Sequence, residues 1–147
     1  MKRLSIYLAF VLFTGLAAKA QKSEVYVDDG NAIHGFDAVA FFTEHKPVKG
    51  VTSFAYVYKG ANWLFSSQQN LEAFKRMPDS YAPQYGGYCA YGAAQGHKAP
   101  TEADTWSIVN GKLYFNYNSS VKKKWVDDQA AMIMKANANW PGIKDKE

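Results

Sequence analysis

Hydrophobic positions divide the chain into short segments, and the period of each segment predicts a different element. The aromatic residues Phe54, Tyr56 and Tyr58 alternate with smaller ones, and Trp63-Leu64-Phe65 follows after a turn, which predicts a β-hairpin. Asn110-Gly111 lies between two further apolar segments and predicts a second hairpin, because both turn positions need positive φ. The crowded apolar residues 33–42 predict a buried turn or a single helical turn.

Helical spacing follows the first hairpin. Ser66 or Ser67 can cap a helix in which Leu71 and Phe74 lie on one face, and Pro78 is expected to end it.

A longer C-terminal helix is expected over residues 118–137, closed by Pro141. Its predicted buried side consists of Val121, Trp125, Ala130 and Ile133. Together, these patterns predict an α+β fold with β-hairpins, short helices and a C-terminal helix.

The first twenty residues have the pattern of a secretory signal peptide. Lys2 and Arg3 precede an apolar run over residues 4–16, and Ala18-Lys19-Ala20 supplies a small-x-small cleavage pattern. The run is short of the roughly 20 residues that span a bilayer. We therefore expect residues 1–20 to be removed and residues 21–147 to form a single domain. The mature protein is expected to be periplasmic or secreted, without membrane contact.

Removal of the signal peptide changes the charge of the chain. The formal net charge of +4 falls to about +1, because 14 basic and 13 acidic residues remain. This near balance argues against nucleic acid as a partner. The single cysteine, Cys89, excludes an intramolecular disulfide, so we expect stability to come from a core rich in aromatic side chains.

A set of motifs extends from the first hairpin to the end of the following helix. These motifs are Tyr58-Lys59-Gly60, Trp63-Leu64-Phe65-Ser66-Ser67, Phe74 and Pro78-Asp79-Ser80-Tyr81. Together they resemble the YHS domain. The flanking segments, which include residues 35–42, 82–91, 106–114 and 138–141, look like exported bacterial proteins that contain this domain. The resemblance covers nearly all of the mature chain and implies a small YHS-like fold related to metal-binding treble-clef domains.

The resemblance also implies a metal site whose ligands this sequence lacks. Metal-binding YHS domains place cysteines in the first segment and on the hairpin-to-helix turn. Here Ser66 and Asn70 stand on the turn, and Gly35-Phe36-Asp37-Ala38 contains no cysteine. Neutral serine and asparagine oxygens are poor ligands for zinc or copper. We therefore expect no metal at these positions.

Cys89 is the centre of the remaining candidate site. Two adjacent glycines, Gly86 and Gly87, and three tyrosines lie close to it in residues 85–92, and Tyr88, Cys89 and Tyr91 are the candidate ligand-binding residues. A helix that began here would lower the thiol pKa through its N-terminus. The thiolate would then bind a soft metal or react with an oxidant. The alternative is that Cys89 is a small buried hydrophobic residue.

A mixed sulfur and nitrogen site would need a histidine beside the thiol. His34 and His97 are the candidates, and Cys89 with either imidazole would suit copper or zinc. Singly, each histidine is typical of a surface or hydrogen-bonded residue. The sequence spacing leaves both interpretations open.

Recognisable enzyme motifs are missing, since the chain has no GxSxG, no HExxH and no phosphate-binding glycine loop. Three hypotheses stay open. The first is an exported binding module for a transition metal or a small metallo-ligand. The second is a thiol-dependent redox protein that acts through Cys89. The third is a structural domain, or one that binds a protein partner, without a ligand.

Overall fold

The larger sheet has four strands and contains the first predicted hairpin. The computed structural model describes residues 23–146, so the predicted signal peptide lies outside the described residues. Strands β1 (Val27–Asp28), β2 (Asn31–Ala32), β3 (Val51–Tyr58) and β4 (Ala61–Phe65) form this sheet in the order β1-β2-β4-β3. Strands β2 and β4 are parallel, and the other pairs are antiparallel.

The second predicted hairpin is also confirmed. Strands β5 (Ser107–Val109) and β6 (Lys112–Tyr114) pair antiparallel around Asn110 and Gly111, whose φ angles are 50° and 72°. Positive φ at both positions is the geometry that the Asn-Gly pair favours in a two-residue turn.

Short helices and helical turns connect the strands. Residues 33–42 contain a 3₁₀ turn (Ile33–Gly35) and the start of α1 (Ala40–Thr43), as their crowded apolar pattern predicted. Helix α2 (Gln68–Arg76) begins after Ser67, whose Oγ accepts a hydrogen bond from the Asn70 amide at 3.1 Å. It ends before Pro78, which starts α3 (Pro78–Tyr81). Helix α4 (Ala90–Ala94) and two more 3₁₀ turns (Gln84–Gly87 and Ala103–Thr105) follow.

The C-terminal part is two helices, so the prediction of one continuous helix was wrong. Helix α5 (Ser119–Asp127) and helix α6 (Gln129–Ile143) meet at Asp128, where φ is −137° and ψ is 45°. The dihedral angles of Asp128 are not helical. Because the helix is interrupted there, the buried side of α6 does not continue that of α5. Trp125 is buried and Val121 and Ile133 are half-buried, but Ala130 is exposed, contrary to its predicted place on the buried side.

Pro141 also differs from its predicted role. It lies inside α6, which continues to Ile143, rather than closing the helix. Proline removes one backbone donor, which leaves the carbonyl of Asn137 without its usual helical partner. Asn137 is exposed, so water can serve that carbonyl and the helix continues.

Two clusters of buried side chains hold these elements together. We call them the sheet core and the helical core. The sheet core is rich in aromatic rings, as the composition predicted, and includes Trp63, Phe65, Phe74, Leu113 and Phe115. The helical core lies around α4, α5 and α6 and includes Tyr85, Ala93, Tyr114, Trp125 and Ala136. Within residues 23–146, no helix combines the length and apolar character needed to cross a membrane.

Candidate functional site

A buried carboxylate joins two helices of the first half of the chain. The Asp37 side chain is 0% exposed. Its Oδ1 accepts hydrogen bonds from the backbone amides of Val39, at 2.9 Å, and Ala40, at 3.2 Å. These bonds satisfy amide groups at the start of α1, which have no partners within the helix. One oxygen of Asp37 therefore fixes the chain's entry into α1.

The second oxygen of Asp37 reaches the turn between β4 and α2. Its Oδ2 accepts from the Ser66 amide at 2.8 Å, the Ser66 hydroxyl at 2.6 Å and the Asn70 amide Nδ2 at 2.7 Å. Burial of a carboxylate is tolerated when it is hydrogen-bonded as fully as this. We call Asp37, Ser66 and Asn70 the polar latch, because they tie α1 to the start of α2.

The polar latch occupies the positions where the resemblance places metal ligands, but its geometry does not fit a metal ion. Ser66 and Asn70 point their donor hydrogens at Asp37, and both carboxylate oxygens already accept at least two hydrogen bonds. A metal needs lone pairs directed toward it, and zinc and copper favour thiolate or imidazole. Hydrogen bonds thus connect the segments that metal ligation would otherwise connect.

Cys89 precedes a short helix, as one of the sequence hypotheses supposed. Its Sγ accepts a hydrogen bond from the Gly92 amide at 3.3 Å at the start of α4, and its thiol donates to Asn116 Oδ1 at 3.7 Å. The residue is 1% exposed and is a free cysteine. Cys89 is therefore a small buried residue, as the alternative interpretation expected. It also lies at the start of a helix, as the functional interpretation expected.

The expected lowering of the thiol pKa was wrong. Burial raises the pKa of the Cys89 thiol, and this effect exceeds the opposite effect of the backbone amides of Gly92, Tyr117 and Tyr91. Helix α4 has only five residues, so it supplies few amides to offset desolvation. The neutral thiol is therefore favoured.

The Cys89–His97 cavity brings together two of the three predicted metal ligands. It measures about 290 Å³, and its walls also include Tyr91, Tyr117 and Val121. The His97 amide donates to the Gly92 carbonyl at 3.1 Å, which folds the loop after α4 back over the helix. Ligand chemistry alone suggested that a histidine could accompany Cys89. The return of the chain after α4 explains why His97 lines the same cavity.

His34, the third predicted metal ligand, is held elsewhere. Its Nδ1 lies 2.8 Å from Asp28 Oδ2, its Nε2 lies 2.6 Å from the Thr101 carbonyl oxygen, and it does not line the Cys89–His97 cavity. Both ring nitrogens are therefore engaged. In the described part of the chain, no three or more His, Cys, Asp or Glu side chains are arranged to hold a metal ion.

The predicted ligand-binding residues divide between two cavities. Tyr91 lines the cavity beside Cys89, whereas Tyr88 lines a separate one of about 240 Å³ together with Tyr26 and Pro100. The Tyr88 hydroxyl donates to the Ser23 carbonyl at 2.9 Å. Tyr88 therefore ties down the N-terminal segment and does not share the cavity of Cys89.

Asn116 is a site residue that sequence reasoning missed. It is fully buried, and its Oδ1 accepts hydrogen bonds from the Tyr91 amide, at 3.1 Å, and from the Cys89 thiol. Its Nδ2 has no hydrogen-bond partner among residues 23–146. Its place directly after the apolar residues 113–115 was the available indication in the sequence, but that pattern does not reveal burial.

Comparison with known protein families agrees with the predicted resemblance. The model of the YHS domain matches residues 39–85, which include both Ser66 and Asn70 of the polar latch. No match was found among curated proteins or among solved structures. The α+β class is confirmed, while the relation to treble-clef domains stays a prediction. The protein is therefore a YHS domain-containing protein, with the domain at residues 39–85.

Proposed function

We propose that this protein is an exported, non-catalytic binding module for a soft transition-metal ion, such as Cu(I), or a small metallo-ligand. The observation that supports the proposal is the cavity lined by both Cys89 and His97. A thiolate and an imidazole form a donor set that suits copper and zinc. Tyr91 and Tyr117 supply aromatic surface beside these two side chains.

The two proposed ligands have different tasks. Cys89 would supply the thiolate, and His97 the neutral imidazole from the loop that folds over α4. Because burial raises the pKa of the Cys89 thiol, loading has to release a proton from sulfur. At pH values below that pKa, the apparent affinity for the metal should therefore increase about tenfold with each unit by which the pH is raised.

The experiment is a Cu(I) competition titration on residues 21–147 under anaerobic conditions, with Zn(II) measured in parallel. We expect one equivalent of Cu(I) to bind, Cys89→Ala to abolish binding and His97→Ala to weaken it by at least about tenfold. His45→Ala is the matched control, because His45 is exposed and lies outside this cavity. Unchanged binding in Cys89→Ala, or no binding by the native protein, would reject the proposed metal site.

A thiol-dependent redox role has less physical support. The thiolate is the reacting form, and burial favours the neutral thiol of Cys89. Alkylation that titrated below the ordinary thiol pKa would instead favour the redox alternative. A structural or partner-binding role predicts neither metal binding nor a reactive thiol.

A further inference from the structure

A third cavity lies between the first hairpin, the N-terminal segment and the end of α6. It also measures about 290 Å³ and shares no lining residue with the Cys89–His97 cavity. Glu24 comes from the N-terminal segment, Lys59 from the β3–β4 turn, and Trp140 from α6. We call it the hairpin cavity. It is a candidate site independent of the proposed metal site.

Aromatic side chains form much of its walls. Trp63, Tyr85 and Trp140 all line the cavity, and the rings of Tyr85 and Trp140 lie 5.8 Å apart. The Trp63 Nε1 donates to the Tyr58 carbonyl at 3.0 Å, and the Tyr85 hydroxyl donates to Asn137 Oδ1 at 2.9 Å. The polar atoms of Trp63 and Tyr85 are thus occupied within the protein, and both residues are buried. The aromatic surface open to a ligand therefore comes from the half-buried Trp140, and such surface attracts cations.

The charged groups of the cavity carry an excess of negative charge. Its lining contains two carboxylates, Glu24 and Asp79, and one ammonium group, Lys59. Lys59 Nζ lies 3.4 Å from Glu24 Oε1 and 3.7 Å from Asp79 Oδ1. The Tyr58 hydroxyl also donates to Asp79 Oδ1, at 2.5 Å. A single protein cation is therefore shared between two acids beside an aromatic wall.

We propose that the hairpin cavity binds small organic cations, with a quaternary ammonium or amine group beside Glu24 and Asp79 and an apolar part against Trp140. An anion would find the one ammonium group already paired with two carboxylates. A cationic ligand takes over those carboxylates while the flexible Lys59 side chain swings into solvent. Lys59 thus acts as a resident cation that competes with the ligand.

The test measures binding of benzyltrimethylammonium to residues 21–147 by isothermal titration calorimetry. Benzoate and benzyl alcohol are the anionic and neutral comparisons. We expect the cation to bind at least about threefold more tightly than either, and Trp140→Leu to weaken it by about threefold or more. Equal or tighter binding of benzoate or benzyl alcohol, or no binding of the cation at millimolar concentration, would overturn the proposal.

The Lys59→Met variant gives the sharpest result, because the proposal predicts that removing the ammonium group from the cavity strengthens binding. Lys59 has φ of 49°, and methionine carries the same Cβ, so the turn is strained equally in both proteins. We expect Lys59→Met to tighten cation binding by about twofold or more. Lys75→Met, which removes an exposed ammonium paired with Glu72 on α2, is the control and should leave binding unchanged.

Weaker binding in Lys59→Met would contradict the competition between lysine and ligand and overturn the proposal. Cys89→Ala distinguishes the two proposed sites. It should leave binding of benzyltrimethylammonium unchanged whether or not the protein binds Cu(I). A loss of cation binding in Cys89→Ala would show that the hairpin cavity is not the cation's site.

Discussion

The polar latch and the surroundings of Cys89 are similar in position but differ in how fully their polar atoms are hydrogen-bonded. In each, a buried ionisable side chain lies just before a short helix and accepts hydrogen bonds from its first amides. Both Asp37 oxygens are fully engaged, whereas Cys89 makes longer contacts and the Nδ2 of its neighbour Asn116 has no hydrogen-bond partner in the described part of the chain. The Cys89–His97 cavity adjoins the second of these two groups.

This difference in hydrogen bonding distinguishes a cluster that stabilises the fold from one that can exchange its partners for a ligand. Hydrogen bonds to an ionised carboxylate are about twice as strong as neutral ones, so a saturated cluster resists exchange with a ligand. A thiol is a weak donor and acceptor, and it can give up its partners at smaller cost. This difference supports our proposal that the Cys89–His97 cavity binds a ligand, and it indicates that the polar latch stabilises the fold.

Asp37→Ala should produce the largest effect. It leaves five donor groups without their acceptor, and we expect the free energy of unfolding to fall by at least about 3 kcal/mol in urea denaturation. Asp127→Ala is the control, because this exposed carboxylate pairs with Lys123 across one helical turn at 3.6 Å. The control should cost under about 0.5 kcal/mol. Similar losses in both variants would show that the hydrogen bonds of Asp37 stabilise the protein no more than an exposed ion pair does.

Two matched asparagine truncations should give the next largest difference. Asn70→Ala removes a donor to a charged acceptor, so we expect a loss of about 2 kcal/mol. Asn116→Ala deprives the Tyr91 amide of its acceptor but also removes a buried unpaired donor. These two effects oppose each other, and the net loss should be about 1 kcal/mol or less. A larger loss for Asn116→Ala would indicate that its Nδ2 has a partner, such as a buried water.

Alkaline pH should reveal a smaller effect of Cys89. Its pKa is higher in the folded protein than the ordinary value of 9.0, so the native state retains a proton that the unfolded chain releases. The stabilising contribution is complete below the ordinary thiol pKa and is lost as pH rises through the folded pKa. A single group changes the free energy of unfolding by at most about 1.4 kcal/mol per pH unit.

Cys89→Ala should flatten this decline in urea denaturation series from neutral pH to just below the ordinary tyrosine pKa. Tyr85 and Tyr114 also have raised pKa values caused by burial, so higher pH would mix their contributions with that of the thiol. His45→Ala should show the same slope as the native protein. An unchanged slope in Cys89→Ala would mean that the thiol has the same pKa in both states.

The sequence predicted the features that depend on neighbouring residues. Asn110-Gly111 set the second hairpin, and Ser67 capped α2, because turn and cap chemistry act over two to four positions. The break at Asp128 was not visible, since aspartate tolerates both a helix interior and a helix junction. Ala130 was consequently assigned to the wrong face.

The candidate site was harder to predict because long-range contacts build it. Ser66 and Asn70 were recognised as replacements for metal ligands, but their convergence on Asp37 spans 29 and 33 positions. In the sequence, His34 and His97 are equivalent candidates. In the structure, His34 contacts Thr101, 67 positions away, and does not reach the Cys89–His97 cavity. No local pattern encodes such approaches.

The strand β6 has a consequence for cooperative folding. Leu113 packs into the sheet core, and the next residue, Tyr114, packs into the helical core. The sheet core also needs Val25 from before the matched segment and Phe115 from after it. Residues 39–85 alone would therefore lack part of their own interior, and the smallest autonomous folding unit is larger than the segment that defines the family.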